Sequence, residues 1–285
     1  MAIVLGANRY GKAETRIVRI ARDGARHELT DLNVSVTLAG DLDATHRSGD
    51  NANVLPTDSQ KNAVYAFARE HGIGEIEDFA LRLARHFVDT QPAIDRARVA
   101  VDRYGWHRLG DHSFQRDGGP TRTASVSYDG TGAWVVSGVT DLVLLNSTGS
   151  EFRGFVQDPY TTLPETGDRI LATAVTAHWR HRTATGDWAR SHRETQRLLV
   201  EAFVDTYSRS LQQTLYAMGQ RVLEKRPELV EVRLALPNKH HFLVDLAPFG
   251  LDNPGEVYFA ADRPYGLIEG TALRDDAPPP GLAWW

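Results

Sequence analysis

The feature that most constrains the fold is a succession of two strand-like stretches, two helical stretches and two further strands, which occurs twice along 285 residues. Thr15 to Arg22 alternates charged and apolar residues, Asp23-Gly24 marks a turn, and Leu29 to Leu42 places Leu32, Val34, Val36 and Leu38 on one face, the pattern of a half-buried hairpin. Ala63, Val64, Phe67 and Ala68, and then Ile76, Phe79, Ala80, Leu83, Ala84 and Phe87, recur at helical spacing. Pro56 and Thr57-x-x-Gln60 read as the first of these helix starts, with Thr57 as cap. Strands are expected at Ala93 to Trp106 and Thr121 to Tyr128.

The second half repeats the order. Strands are expected at Ala133 to Leu145 and Ile170 to Thr183. Helical faces follow at Leu198, Leu199, Ala202 and Phe203, and at Leu211, Leu215, Met218 and Val222. Closing strands are expected at Val230 to Leu236, His240 to Leu246 and Val257 to Ala260. A ββααββ unit makes an antiparallel sheet with both helices on one face. The reading is therefore an α+β protein with unit boundaries at 1–132 and 133–272, and a proline-rich tail at 273–285. The bare face and edge strands of such units need cover, for which neighbouring subunits are suited.

Composition narrows the chemistry. A formal net charge of -5 gives no general attraction to nucleic acid. The absence of cysteine removes disulfides, thiolate nucleophiles and Cys-based zinc sites. The 11 histidines show no metal-ligand spacing, and His178 and His181, three apart on a strand, face opposite ways. No stretch is long and apolar enough for a membrane span, and no signal peptide is evident at Met1 to Gly6. The expectation is a cytoplasmic protein with a small-molecule partner and no metal.

Asn146 to Arg169 is too polar and too broken by glycine and proline to be a helix, yet it carries Phe152, Phe155, Tyr160 and Arg169. An aromatic face and a guanidinium fork suit a planar heterocycle, because the fork gives two parallel charge-assisted hydrogen bonds. The alternative is a packed loop in which Arg169 pairs with Asp168 or Glu165. Other polar residues stand at element ends: Lys12 at the mouth of the first strand, Thr57 and Asp58 at a helix start, and Gln212 beside Leu211 at another. In Leu236-Pro237-Asn238-Lys239-His240-His241-Phe242, read as a strand, Asn238 and His240 share a face.

Together these residues resemble the urate oxidase family. The resemblance is carried by Tyr10-Gly11-Lys12, Thr57-Asp58-Ser59-x-Lys61-Asn62, Phe152-x-Gly154-Phe155, Asp158-x-Tyr160-Thr161-Thr162-Leu163, Glu165-Thr166-x-Asp168-Arg169-Ile170, Ser210-Leu211-Gln212-x-Thr214 and Leu236-Pro237-Asn238-Lys239-His240. The resemblance implies a tandem T-fold (tunnelling fold) and a homotetramer with active sites between subunits. It implies oxidation of urate by O2 and water to 5-hydroxyisourate and H2O2 without a cofactor. Phe152 would stack on urate, Arg169, Gln212 and the backbone at Leu211 would hold its edges, and Thr57 and Asp58 would come from a neighbouring subunit. Lys12, Thr57 and His240 would relay protons, with Asn238 and Thr57 flanking the site of dioxygen or water. No peroxisomal Ser-Lys-Leu end is present, which points to a bacterial-type member. A metal-dependent T-fold hydrolase and a non-catalytic urate binder are the rival readings. The missing cysteines and His cluster count against the first, and the joint presence of Lys12, Thr57 and His240 against the second.

Overall fold

The computed structural model describes residues 1–285. In chain order it contains β1 (Tyr10–Ala21), β2 (Glu28–Gly40), α1 (Asp43–Ser48), α2 (Thr57–Glu70), α3 (Ile76–Thr90), β3 (Ile94–Tyr104), β4 (Trp106–Arg108), β5 (Phe114–Arg116), β6 (Thr121–Tyr128), β7 (Ala133–Asn146) and β8 (Leu171–His181). There follow α4 (Trp188–Asp205), α5 (Leu211–Lys225), β9 (Leu229–Asn238), β10 (His241–Leu243), β11 (Tyr258–Ala260) and β12 (Gly266–Leu273). The chain forms two compact units, one of Met1–Gly138, Trp179–His192 and Asp276–Trp285, the other of Val139–His178 and Arg193–Asp275.

In the first unit the strands lie in the order β1-β2-β3-β6-β7, and the β1/β2, β2/β3 and β3/β6 pairs are antiparallel. Leu32, Val34, Val36 and Leu38 of β2 all point to one face, where they join Val64 and Ala68 of α2 and Phe79, Leu83 and Phe87 of α3 in a single apolar core. Strand alternation and helical periodicity thus meet on one surface, as the sequence patterns require.

This unit also buries a polar pin. Glu77, at the second position of α3, is only 1% exposed. It accepts a hydrogen bond of 2.7 Å from Arg122 and one of 2.6 Å from Ser137, whose Oγ also lies 2.9 Å from His181 Nε2. Burial raises the Glu77 pKa, with Arg122 and Ser137 opposing the rise.

In the second unit the strand order is β7-β8-β9-β12, with β12 antiparallel to β9 from Gly266↔Asn238 to Leu273↔Glu231. Helix α5 lies close against these strands. A Cβ on Gly219 would stand 2.6 Å from the Cβ of Ala272, and one on Gly270 would stand 2.8 Å from Leu215 Cδ2.

Four details differ from the expectations. The strand expected through Trp106 stops at Tyr104, and β4 pairs with β5 in a separate hairpin. The segment His240 to Leu246 is strand only at His241–Leu243, paired to β11 in a ribbon of its own. The edge strand beside β9 is instead β12, whose inward positions include Gly270 and Ala272; residues small enough to admit α5 leave little apolar alternation to read. Short helix α1, absent from the expected elements, buries no residue and so has no apolar periodicity to read.

The tail from Asp276 packs on the first unit. Asp276 accepts hydrogen bonds of 3.0 and 3.2 Å from Arg182, Ala283 is buried, and the guanidinium carbons of Arg9 and Arg96 each lie 5.9 Å from the Trp285 ring centroid.

Candidate functional site

The second unit gathers most of the candidate residues at one end of its sheet. The loop after β7 returns on itself as a narrow bridge: Phe152 and Thr166 exchange backbone hydrogen bonds of 3.0 and 3.1 Å, and the Arg169 amide donates to the Ser150 carbonyl at 2.8 Å. The same loop is tied to the α4–α5 connection, because Glu151 N donates to Ser208 O and Ser208 N to Gly149 O, at 2.8 and 3.0 Å. These bonds bring Phe152 and Arg169 close along the chain path to Leu211 and Gln212, the first residues of α5. Ser210 caps that helix by accepting from the Gln213 amide at 3.2 Å. Leu211 is buried in the core, which leaves its backbone to the helix start, and Gln212 is exposed.

Arg169 is the electrostatic centre of this group. Its guanidinium carbon lies 5.2 Å from the Phe152 ring centroid, and its Nε donates weakly, at 3.4 Å, to Ser150 Oγ. Burial lowers its pKa from the ordinary arginine value, although an arginine stays charged. The expected alternative partners are occupied elsewhere. Asp168 accepts from Thr148 Oγ1 at 2.6 Å and Gly149 N at 3.0 Å, and Glu165 accepts from Gly154 N at 2.8 Å. Hydrogen bonding, chiefly from Thr148 and then from the amides of Ser150 and Gly149, holds the Asp168 carboxyl below its usual range. The two acids shape the loop and leave the cation for a ligand. Phe155 stacks on Phe152 with centroids 4.8 Å apart and planes at 13°.

Asn238 and His240 also belong to this end, since Lys239 N donates to Ala172 O at the start of β8, three residues beyond Arg169. They do not share a strand face. Asn238 is the last residue of β9, and His240 lies outside any strand, its carbonyl accepting from Ala261 N at 2.9 Å and its ring stacked on Phe242 at 5.8 Å. Both are half-buried.

The first unit carries Lys12, Thr57 and Asp58. Thr57 is the first residue of α2, and the cap position belongs to Pro56, which makes no side-chain cap hydrogen bond. The expected Thr57 cap is therefore absent, because the helix begins one residue too early for its hydroxyl to reach the N3 amide. That hydroxyl has no partner within the chain and remains available to a ligand. Gln60, expected to complete the capping box, reaches back to Leu55 O at 3.2 Å. Asp58 accepts from Lys61 Nζ at 2.5 Å and Asn62 Nδ2 at 2.9 Å. Lys61 most strongly, and Lys12 as well, keep Asp58 below the usual carboxylate pKa. Lys12 shares a face of β1 with Tyr10, whose hydroxyl donates to Leu55 O just before α2 at 3.1 Å, but no hydrogen bond joins Lys12 to Thr57.

The backbone and side chains that hold these groups, namely Asp168, Ser150 and Ser208 in the second unit and Glu14 and Ser35 in the first, were not singled out as site-building residues by their motifs. The sequence carries no signal of the bulge in β1: Lys12, Glu14 and Arg16 alternate with Ala13, Thr15 and Ile17 without a break. No group of three or more His, Asp or Glu side chains is arranged to hold a metal ion, and no helix is long and apolar enough to cross a membrane.

Two helix-backed antiparallel units, each carrying polar groups at element ends, define a tandem T-fold enzyme. The uricase pattern matches residues 8–127 and 135–269. Uricase of Arthrobacter globiformis is 51% identical over 96% of this chain and 91% of its own, and its crystal structure superposes with a TM-score of 0.95 over 98% of both chains at 50% identity. Urate oxidase of Bacillus sp. TB-90, at 22% identity, shares the fold with a TM-score of 0.81, covering 94% of this chain and all of that one. The chain belongs to the uricase family.

Proposed function

We propose that this protein oxidises urate with O2 and water to 5-hydroxyisourate and H2O2, without a cofactor, at sites built between subunits of a homotetramer. The observation that carries the reading is the half-buried Arg169 cation, free of carboxylate partners and set against the Phe152 ring. Urate is a planar anion with adjacent acceptor atoms at its edge, which such a fork and ring suit. Gln212, exposed at the start of α5, adds an amide that both donates and accepts, and the Leu211 backbone lies beside it.

In this reading Lys12 and Thr57 take a further proton from urate, which raises its reducing power. Two electrons then pass from the ring to dioxygen through a ring hydroperoxide; hydrogen peroxide leaves, and a hydroxyl from water takes its place. His240 manages the proton of that water, and Asn238 with Thr57 flanks the position above the ring that dioxygen and water occupy in turn. Asp58 belongs to the same wall as Thr57, supplied by the neighbouring subunit. Lys12, Thr57 and Asp58 belong to one unit and Phe152, Arg169, Gln212, Asn238 and His240 to the other, and in this reading different chains contribute the two sets. The two ββααββ units expected at 1–132 and 133–272, with the 273–285 tail, suit this division of labour.

The test follows urate absorbance and dissolved oxygen together, using chelator-treated protein with no added cofactor. Equal consumption of both, with hydrogen peroxide formed, supports the reading. A folded tetramer that binds urate yet consumes no oxygen overturns it.

A further inference from the structure

Strand β1 changes phase beside Lys12. Before the change, Tyr10 pairs with Leu38 and Lys12 with Val36; after it, Thr15 pairs with Val34 and Ile17 with Leu32. The partner residues step by two while β1 steps by three, so Ala13-Glu14 holds one extra residue, a β-bulge. Exposure follows the shift: Tyr10, Lys12, Thr15, Ile17 and Arg19 turn inward toward the helices, whereas Gly11, Ala13, Glu14, Arg16 and Val18 are exposed. In an unbroken strand, residues 12 and 15 would face opposite ways.

The bulge is built by specific atoms. Glu14 has φ of 56°, a left-handed conformation that a non-glycine residue seldom adopts. Its amide, lost to the ladder, donates at 3.0 Å to Ser35 Oγ on the neighbouring strand. On the other side of Lys12, a Cβ at Gly11 would stand 1.9 Å from the Val36 carbonyl oxygen, so the backbone is pressed against β2.

We infer that the Glu14 bulge, clamped by Ser35, is a positioning device that turns Lys12 to the α2 side of β1, toward Thr57 and Asp58, while leaving Thr15 and Ile17 in the core. The inference rests on the Lys12 role given under Proposed function. Glu14 and Ser35 act through the backbone and touch no substrate. Strain at a site-bearing strand then has a use, since an unbulged β1 cannot serve both the relay and the core.

The test compares Glu14→Gly, Glu14→Val, Ser35→Ala, Ser35→Thr and Lys12→Met in the assembled protein, measuring kcat, KM for urate and the pH–rate profile. Glycine accepts positive φ freely and valine resists it, so Glu14→Gly keeps kcat within about twofold of the parent. Glu14→Val and Ser35→Ala lower kcat by up to about 100-fold, the scale of a misplaced catalytic group, with little change in KM and with a displaced pH–rate profile. Ser35→Thr, which keeps the hydroxyl, recovers most of the loss. Parental kcat and profile in a folded Ser35→Ala or Glu14→Val protein overturns the inference, as does an equal loss in Glu14→Gly and Glu14→Val. If Lys12→Met retains parental turnover, the relay reading fails and this inference with it; a silent bulge beside an inactive Lys12→Met overturns the inference alone.

Discussion

The guanidinium carbon of Arg169 stands 5.2 Å from the centroid of the Phe152 ring, and no carboxylate pairs with it. The adjacent acids, Asp168 and Glu165, are turned to the backbone of the loop that presents the pair. Removing the guanidinium should therefore weaken urate binding more than removing the ring. Arg169→Ala should raise KM by about 10- to 100-fold, the loss of a charge-assisted pair of hydrogen bonds. Phe152→Ala should raise it several-fold, in line with about 0.5–1.5 kcal/mol for an aromatic contact. Steady-state kinetics with urate reads both, and unchanged KM in either variant removes that residue from the slot.

Lys12→Met should lower kcat far more than it alters urate affinity. A proton-transfer group contributes about 10²–10⁴-fold to the rate while adding little to ground-state binding. Equilibrium binding of urate under anaerobic conditions, beside turnover in air, separates the two effects; weakened binding with full turnover would remove Lys12 from the relay.

Asp168→Ala should loosen the loop without touching its aromatic face. The carboxylate binds Thr148 Oγ1 and Gly149 N, so its loss frees the bridge that sets Phe152 against Arg169. KM for urate should rise while kcat at saturation stays near the parent value, as expected when substrate positioning is lost before chemistry. A kcat loss at constant KM would assign Asp168 a different role.

The buried pin of the first unit should govern stability. Glu77→Ala leaves Arg122 with Glu75 alone and takes an acceptor from Ser137, and should cost about 1–3 kcal/mol. Ser137→Ala should cost about 1–3 kcal/mol, because one acceptor and one imidazole nitrogen lose a partner. Denaturant unfolding measures both, and equal stability of Glu77→Ala and parent would show that the pin carries no net energy.

His192 should make the protein acid-sensitive. It is half-buried beside Trp179 with its Nδ1 out of solvent, and burial first, then Arg122 and Arg103, lower its pKa from 6.5 to about 3. Between those values the unfolded chain takes up a proton that the folded chain refuses, so stability falls as pH drops below 6.5 and the loss is complete near 3. At roughly 1.4 kcal/mol per unit the effect reaches several kcal/mol. His192→Phe should flatten the melting temperature between pH 7 and 4; an unchanged slope would place the acid sensitivity in other groups.

Sequence patterns alone determined the ββααββ order and the core face of β2 and of α2 and α3, and the motifs named the candidate site residues. These are local matters: period-2 and period-3.6 apolar spacing reports which face of an element is buried, and motif spacing reports chemistry. Tertiary structure alone decided that β12 rather than the His240 segment closes the second sheet, because Gly270 and Ala272 are inward for the sake of α5 and carry no apolar signal. It also decided that Asp168 and Glu165 leave Arg169 unpaired, and that a bulge at Glu14 sets the side on which Lys12 falls. Each of these depends on which groups meet across long sequence separations, where hydrogen-bond partners and close backbone approach, rather than periodicity, set the outcome.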